Sequence, residues 1–270
     1  LALLLTQVDK ILLSRLLSLK DYGYYTLANV VASSLYMFVA PIAQAWFPRL
    51  TQLCASKDMP GLVRTYHQGS QLVSIGMGSA AIIFMVFGGV LLQVWTQNGD
   101  LAEKTAPLLV LLSLGNLLNG LMYIPYQTQL AYGWTSLSLR INTVSVLLIV
   151  PSLLLATSYY GPVGAACVWS ALNAGYVLIG IHFMYRRILV GEKWRWYVED
   201  IMFPLISGLC VAFGIRWVLP QDRMSLIEQI VLLLSASTCT VFATVLAAKS
   251  IREVLLATFL RLVNRLPKAR

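Results

Sequence analysis

The chain has 270 residues, of which 58% are apolar and 11% charged, and its mean hydropathy is +0.74. A soluble domain carries about 25% charged residues, so a soluble enzyme of this length and a disordered chain are both excluded. Lys and Arg number 20 against 11 Asp and Glu, a net charge of +9. The positive charges lie between apolar runs, where they orient membrane spans rather than bind nucleic acid.

The apolar runs have membrane-spanning length and lack the period-two alternation of barrel strands. They predict an all-α integral membrane protein of about eight transmembrane helices, at 1–18, 24–47, 70–95, 105–131, 137–157, 163–185, 201–219 and 226–248. The chain opens without Met, inside the apolar run Leu1 to Leu5, and lacks the basic start of a signal peptide. This reading expects the C-terminal part of a longer protein, or a truncated gene product.

The first span carries the polar group Gln7, Asp9, Lys10 and Ser14. At 100° per residue these fall on one arc, opposite Leu4, Leu5, Val8, Ile11 and Leu12. A charge at mid-bilayer costs roughly 2.5–3.5 kcal/mol on insertion scales, so such residues face a cavity or a partner. Two readings fit: Asp9 and Lys10 line a hydrophilic cavity, or they form a structural ion pair. Arg15 falls on the apolar arc, near the outer end, where it can snorkel.

Pro41 and Pro48 in the second span, Pro125 in the fourth and Pro151 in the fifth predict bends or broken helices. The third span carries a small-residue face at Gly76, Gly78 and Ala80, suited to close helix packing. The fourth span is the most polar. Asn116, Asn119 and Gln127, with Tyr123 and Gln129, predict a helix facing the bundle interior, where amides can bind sugar hydroxyls or neighbouring helices.

Trp194, Trp196 and Tyr197 precede the seventh span as an interfacial aromatic belt. Beyond the eighth span, Ile251, Val254, Leu255, Phe259 and Leu262 share one helical face, and Arg252, Arg261 and Arg265 the other. That pattern predicts a basic amphipathic helix on the inner membrane surface. Fourteen of the 20 Lys and Arg residues fall on one side of the predicted spans and five on the other, with Lys10 inside a span. The positive-inside rule therefore puts the C-terminus in the cytoplasm.

The longest gaps, about 49–69 and 186–200, are too short for a domain, so any chemistry belongs to the bundle or its faces. The sequence has no Gly-rich phosphate loop with Lys, no paired catalytic carboxylates in a loop and no nucleophile triad. No enzyme and no cofactor are expected. The four cysteines form no CxxC pair, and His67 and His182 have no ligand-spaced partner, so no metal site is expected either.

The order of several motifs carries a resemblance. Gln7-Val8-Asp9-Lys10-Ile11-Leu12-Leu13-Ser14-Arg15 is followed by Gly23-Tyr24-Tyr25-Thr26-Leu27-Ala28 and by Trp46-Phe47-Pro48-Arg49-Leu50. Gln129-Leu130-Ala131-Tyr132-Gly133 and Gly161-Pro162-Val163-Gly164-Ala165-Ala166 come later. Together they resemble the polysaccharide biosynthesis, O-antigen flippase-type transporters of the MOP exporter superfamily, in their C-terminal lobe. Members of that family build two six-helix bundles around a central cavity, some with two further helices.

The resemblance implies a six-helix transport bundle at 1–190, two additional helices at 191–250 and a basic cytoplasmic tail at 251–270. It implies flipping of an undecaprenyl-pyrophosphate-linked oligosaccharide across the bacterial inner membrane by alternating access, coupled to an H+ or Na+ gradient. The implied partners are the polyprenyl-linked oligosaccharide, membrane lipid, and polysaccharide polymerase and chain-length proteins. The implied substrate cavity holds Gln7, Asp9, Lys10, Ser14, Arg15, Asn116, Asn119 and Gln127, with Lys10 first and Arg15 second for the anionic part and Asp9 for ion coupling. Competing readings are a drug or small-cation exporter of the same superfamily, which would favour acidic and aromatic lining over Lys10 and Arg15, and a non-transporting scaffold or half-transporter.

Overall fold

A computed structural model describes residues 11–219 and 224–263, with side chains through residue 258. Every regular element among these residues is helical. Residues 11–16 are helical. They are followed by α1 (Leu19–Ala55), α2 (Met59–Thr96), α3 (Gly99–Ala131), α4 (Ser136–Tyr185), α5 (Lys193–Val218), α6 (Leu226–Ala247) and α7 (Lys249–Val263).

By length and composition, α1 to α6 can each cross a membrane, which makes six such helices among the described residues where the sequence predicts eight spans. The predicted first span, 1–18, lies outside the described residues up to residue 10. The predicted spans 137–157 and 163–185 form a single element, α4, of 50 residues. At 1.5 Å per residue a straight α4 would reach about 75 Å, far beyond the ~30 Å hydrocarbon core.

It is not straight. At Gly161 the backbone takes φ 57° and ψ −142°, and the chain reverses. The arms then run antiparallel: Ser145 lies beside Tyr176, and Ile141 beside Gly180. Next to the turn the arms touch so closely that a Cβ on Gly164 would overlap the carbonyl of Ala156. Open space surrounds Gly161 itself, so its requirement for glycine comes from the backbone alone. Gly161→Val is expected to destabilise the protein by about 1–3 kcal/mol through that strain. Thermal unfolding of the purified variant in detergent checks this, and an unchanged midpoint would contradict it.

Of the predicted proline breaks, that of Pro125 meets an interruption within one turn, at Met122, and the others do not. Pro41, Pro48 and Pro151 sit inside continuous helix. Besides Gly161, the interruptions are the turn at Ser34–Leu35, a kink at Phe87 (φ −115°, ψ 16°) and a break at Met122, three residues before Pro125. The gap predicted at 49–69 is also mostly helix. α1 runs on to Ala55, and α2 starts at Met59, with the Asp58 side chain accepting from the Gly61 N–H at 3.0 Å. Polar residues such as Arg49, Gln52, Arg64 and Gln68 let both helices continue past the apolar zone while their amides stay bonded within the helix.

The apolar windows of α2 and α3 are 61% and 56% buried, against 17–22% for α4, α5 and α6, so α2 and α3 form the centre. One core joins α1 to α5 near one end of the bundle, around Leu50, Tyr66, Met77, Leu121, Met184 and Trp196. A second, around Leu13, Ala28, Leu109, Ile149 and Ala165, fills the other end. A third, with Phe87, Ala212, Leu232 and Ala236, seats α5 and α6 against α2. In lipid, close packing and polar contacts hold helices together more than the hydrophobic effect does. The Ser79–Thr244 hydroxyl bond of 2.9 Å ties α6 to α2, and Gly208 lets α5 pack against Thr244.

The predicted amphipathic tail helix is α7. Its first amides, Ser250 and Ile251, donate to Oε1 of Gln71 on α2 at 2.9 and 3.3 Å. Its apolar residues Val254, Leu255 and Leu256 are exposed.

Candidate functional site

The break at Met122 splits α3 between Asn119 and Tyr123. The Met122 N–H turns back to the Asn119 carbonyl at 3.1 Å, and a new helical stretch starts at Tyr123. The final turns of α3 thereby lie against both arms of α4. A cavity of about 340 Å³ opens between them. From α3 it is lined by Asn119, Tyr123, Tyr126, Gln127 and Gln129, and from α4 by Ser138, Asn142 and Tyr176, with Met122, Ile141 and Gly180. No charged side chain is among these lining residues.

A chain of amide and ring hydrogen bonds stiffens the inner wall. The Tyr36 hydroxyl of α1 donates to Oδ1 of Asn119 at 3.0 Å. Asn119 Nδ2 donates to Oδ1 of Asn173 on α4 at 2.8 Å, and Asn173 Nδ2 to the Trp169 carbonyl at 2.9 Å. Trp169 Nε1 then donates to Oδ1 of Asn116 at 2.8 Å. Each bond joins groups that would otherwise be bare in a low-dielectric interior, so the network fixes α1, α3 and α4 relative to one another. On the other wall, Ser138 Oγ donates to Oε1 of Gln129 at 3.0 Å.

The predicted site residues separate. Asn119 and Gln127 meet at the cavity. Asn116 is 3% exposed and stands behind the wall, holding Trp169, and its Nδ2 has no partner in the described residues. Ser14 is exposed and donates to the Ile11 carbonyl at 2.9 Å. Arg15 is exposed on the same short helical stretch. Gln7, Asp9 and Lys10 lie outside the described residues.

Sequence reasoning missed the residues that α4 contributes. Ser138 and Asn142 belong to a polar stretch with Ser136, Arg140, Thr143 and Ser145, which marks neither of them out, and only the reversal at Gly161 brings Tyr176 to them. Tyr36 was missed because 83 residues separate it from Asn119 and only the packing of α1 on α3 joins them. A tyrosine or amide inside a span was the available signal.

The arrangement offers phenol and amide groups at the edge of an apolar pocket. Aromatic faces with converging amides bind neutral hydroxyl-rich rings, each face meeting C–H and each amide meeting O–H groups.

Comparison with known proteins gives partial matches. The polysaccharide biosynthesis protein family matches residues 1–54. The chain is 25% identical over 162 residues to a Shigella flexneri protein assigned as an O-antigen transporter, a match covering 60% of this chain and 38% of that protein. The chain thus matches well under half of that relative's length. No solved structure matches.

Proposed function

We propose that the chain is the C-terminal lobe of a flippase for undecaprenyl-pyrophosphate-linked oligosaccharide, working by alternating access in the bacterial inner membrane. The multi-pass helical fold and the similarity to polysaccharide-biosynthesis and O-antigen-transport proteins support this reading. The observation that carries it is the uncharged cavity lined by amides and phenols at the break in α3.

In this reading the glycan occupies the cavity while the polyprenyl tail stays in lipid. Gln127 and Asn142 present amides to sugar hydroxyls, and Tyr126 and Tyr176 present ring faces. The charged pyrophosphate needs a different site. Lys10 takes that role first and Arg15 second, with Asp9 balancing Lys10 or coupling to an H+ or Na+ gradient. Eight spans are completed by the first helix and by the two arms of α4. Residues 1–190 form the transport bundle, 191–250 add two helices, and 251–270 are a basic cytoplasmic tail. The chain catalyses no covalent step and needs no cofactor. A drug or cation exporter would favour acidic and aromatic lining; the described lining has the tyrosines but no carboxylate.

The test is surface polysaccharide in cells carrying the Gln127→Leu, Asn142→Leu double variant at the native locus. The account expects surface glycan to fall about tenfold or more, since each lost amide bond is worth roughly 0.5–1.5 kcal/mol, with the protein still in the membrane at wild-type abundance. Wild-type glycan in the double variant, and in Lys10→Ala and Asp9→Asn, would overturn the assignment.

A further inference from the structure

Away from the cavity, the end of the bundle that carries Met59, Glu192 and Lys249 holds a buried cluster of ionisable groups. His67 on α2 is 1% exposed and Asp200 on α5 is fully buried. His67 Nδ1 lies 2.5 Å from Asp200 Oδ2, and Nε2 lies 3.0 Å from Glu192 Oε2. Buried ionisable side chains in a membrane-spanning bundle are costly and mark functional sites by default. The geometry points to a site for one proton, shared by His67, Asp200 and Glu192, that clasps the α4–α5 connection to α2.

The count of hydrogens carries the argument. A neutral imidazole has one N–H and one lone pair. Here both ring nitrogens face carboxylate oxygens, and each line needs one hydrogen. With neutral His67 and both carboxylates ionised, one line would set a lone pair against an anion. The closed geometry therefore holds one more proton than that state, on the ring or on a carboxylate.

Removal of this proton breaks one of the two lines, and the surroundings decide which. Asp200 cannot leave. Its Oδ1 accepts from Gln71 Nε2 at 2.9 Å, and Gln71 in turn holds the first amides of α7. Glu192 is 27% exposed and ends the connection between α4 and α5. That connection turns through Leu189 (φ 53°) and Gly191 (φ 95°). Glu192 can swing to water, so it is the releasing joint.

The remaining charges do not supply the missing hydrogen. On α5, Arg195 forms ion pairs with Glu192 at 3.5 Å and Glu199 at 3.3 Å, and its charge is also felt at Asp200 without a direct contact. On α2, the Tyr66 ring stands edge-on to His67, and its hydroxyl is bonded to Tyr185 of α4 at 2.7 Å. His182, near the end of α4, is 3.1 Å from Lys193. Arg64 of α2 and Glu253 of α7 line a neighbouring cleft with Arg195. α1 and α3 contribute apolar residues, among them Leu50, Leu53 and Ile124, to the core around the cluster.

The closed clasp binds one proton more than the open one, so raising pH favours opening, by about tenfold per pH unit wherever the closed form holds that proton and the open form does not. This rests on the cluster alone and holds whether or not the chain moves glycan.

The chain has two histidines, so His182→Gln leaves His67 as the single ring to observe. The experiment uses the full-length protein in nanodiscs with 15N-labelled histidine. It follows the His67 ring nitrogens by NMR and the amide exchange protection of residues 188–195, both from pH 5 to 9. The expected result is one common midpoint, with protection falling about tenfold per pH unit on its acid side and lost above it. Glu192→Gln should stay closed throughout, because an amide can donate to the neutral ring. Equal protection at every pH, or opening that ignores the ring's protonation state, overturns the proposal. So does parallel opening of Glu192→Gln and the parent protein. If Glu192→Gln fails to fold, the coincidence of the two midpoints decides alone.

Discussion

Asp200→Leu is expected to destabilise the purified protein by about 3–5 kcal/mol, the cost of breaking a buried charged pair from one side. Leucine resembles aspartate in size but accepts nothing. His67 Nδ1 and Gln71 Nε2 would both lose their partner in a site with no exposure. Gln71 also orients the start of α7, so the damage should reach three helices. Chemical unfolding in detergent measures the loss, and Glu192→Gln is the control. That residue is partly exposed and keeps its shape and hydrogen-bonding capacity, so its cost should stay below about 1 kcal/mol. Equal losses for the two variants would mean that the cluster gains nothing from burial.

Asn119→Leu is expected to abolish surface polysaccharide export with a smaller loss of stability. Asn119 accepts from Tyr36 and donates to Asn173. Leucine would leave Asn173 Oδ1 without this partner, at about 1–3 kcal/mol, while the Tyr36 hydroxyl keeps Asn116 Oδ1 as an acceptor at 3.4 Å. The inner wall of the cavity would lose its link between α1 and α4. Surface glycan and membrane abundance should be measured in the same cells. Full export with Asn119→Leu would show that the cavity wall has no part in transport.

The sequence marks the helices well because hydropathy acts along the chain, and a run such as 226–248 needs no partner to be recognised. The breaks are less legible. A proline signals a missing N–H, yet Pro41 and Pro151 lie in continuous helix, where the cost is local. The largest reversal sits at Gly161, whose φ and ψ no hydropathy pattern encodes. The polar face of α3 is legible because several amides recur in one apolar run. The wall from α4 is not, because Ser138 and Asn142 stand among other polar residues, Ser136, Arg140, Thr143 and Ser145, and Tyr176 lies on the far arm. His67 and Asp200 are 133 residues apart. Each alone reads as an ordinary polar residue near a span end, and only the packing of α5 on α2 makes them a pair.

The most direct test of the central claim is the leaflet that holds the undecaprenyl-linked oligosaccharide in cells depleted of the native gene. Accessibility of the glycan to a membrane-impermeant glycosidase in right-side-out and inverted vesicles reports this. The account predicts that lipid-linked oligosaccharide accumulates facing the cytoplasm while surface polysaccharide falls. A pool of unchanged size and sidedness, with normal surface glycan, would contradict it.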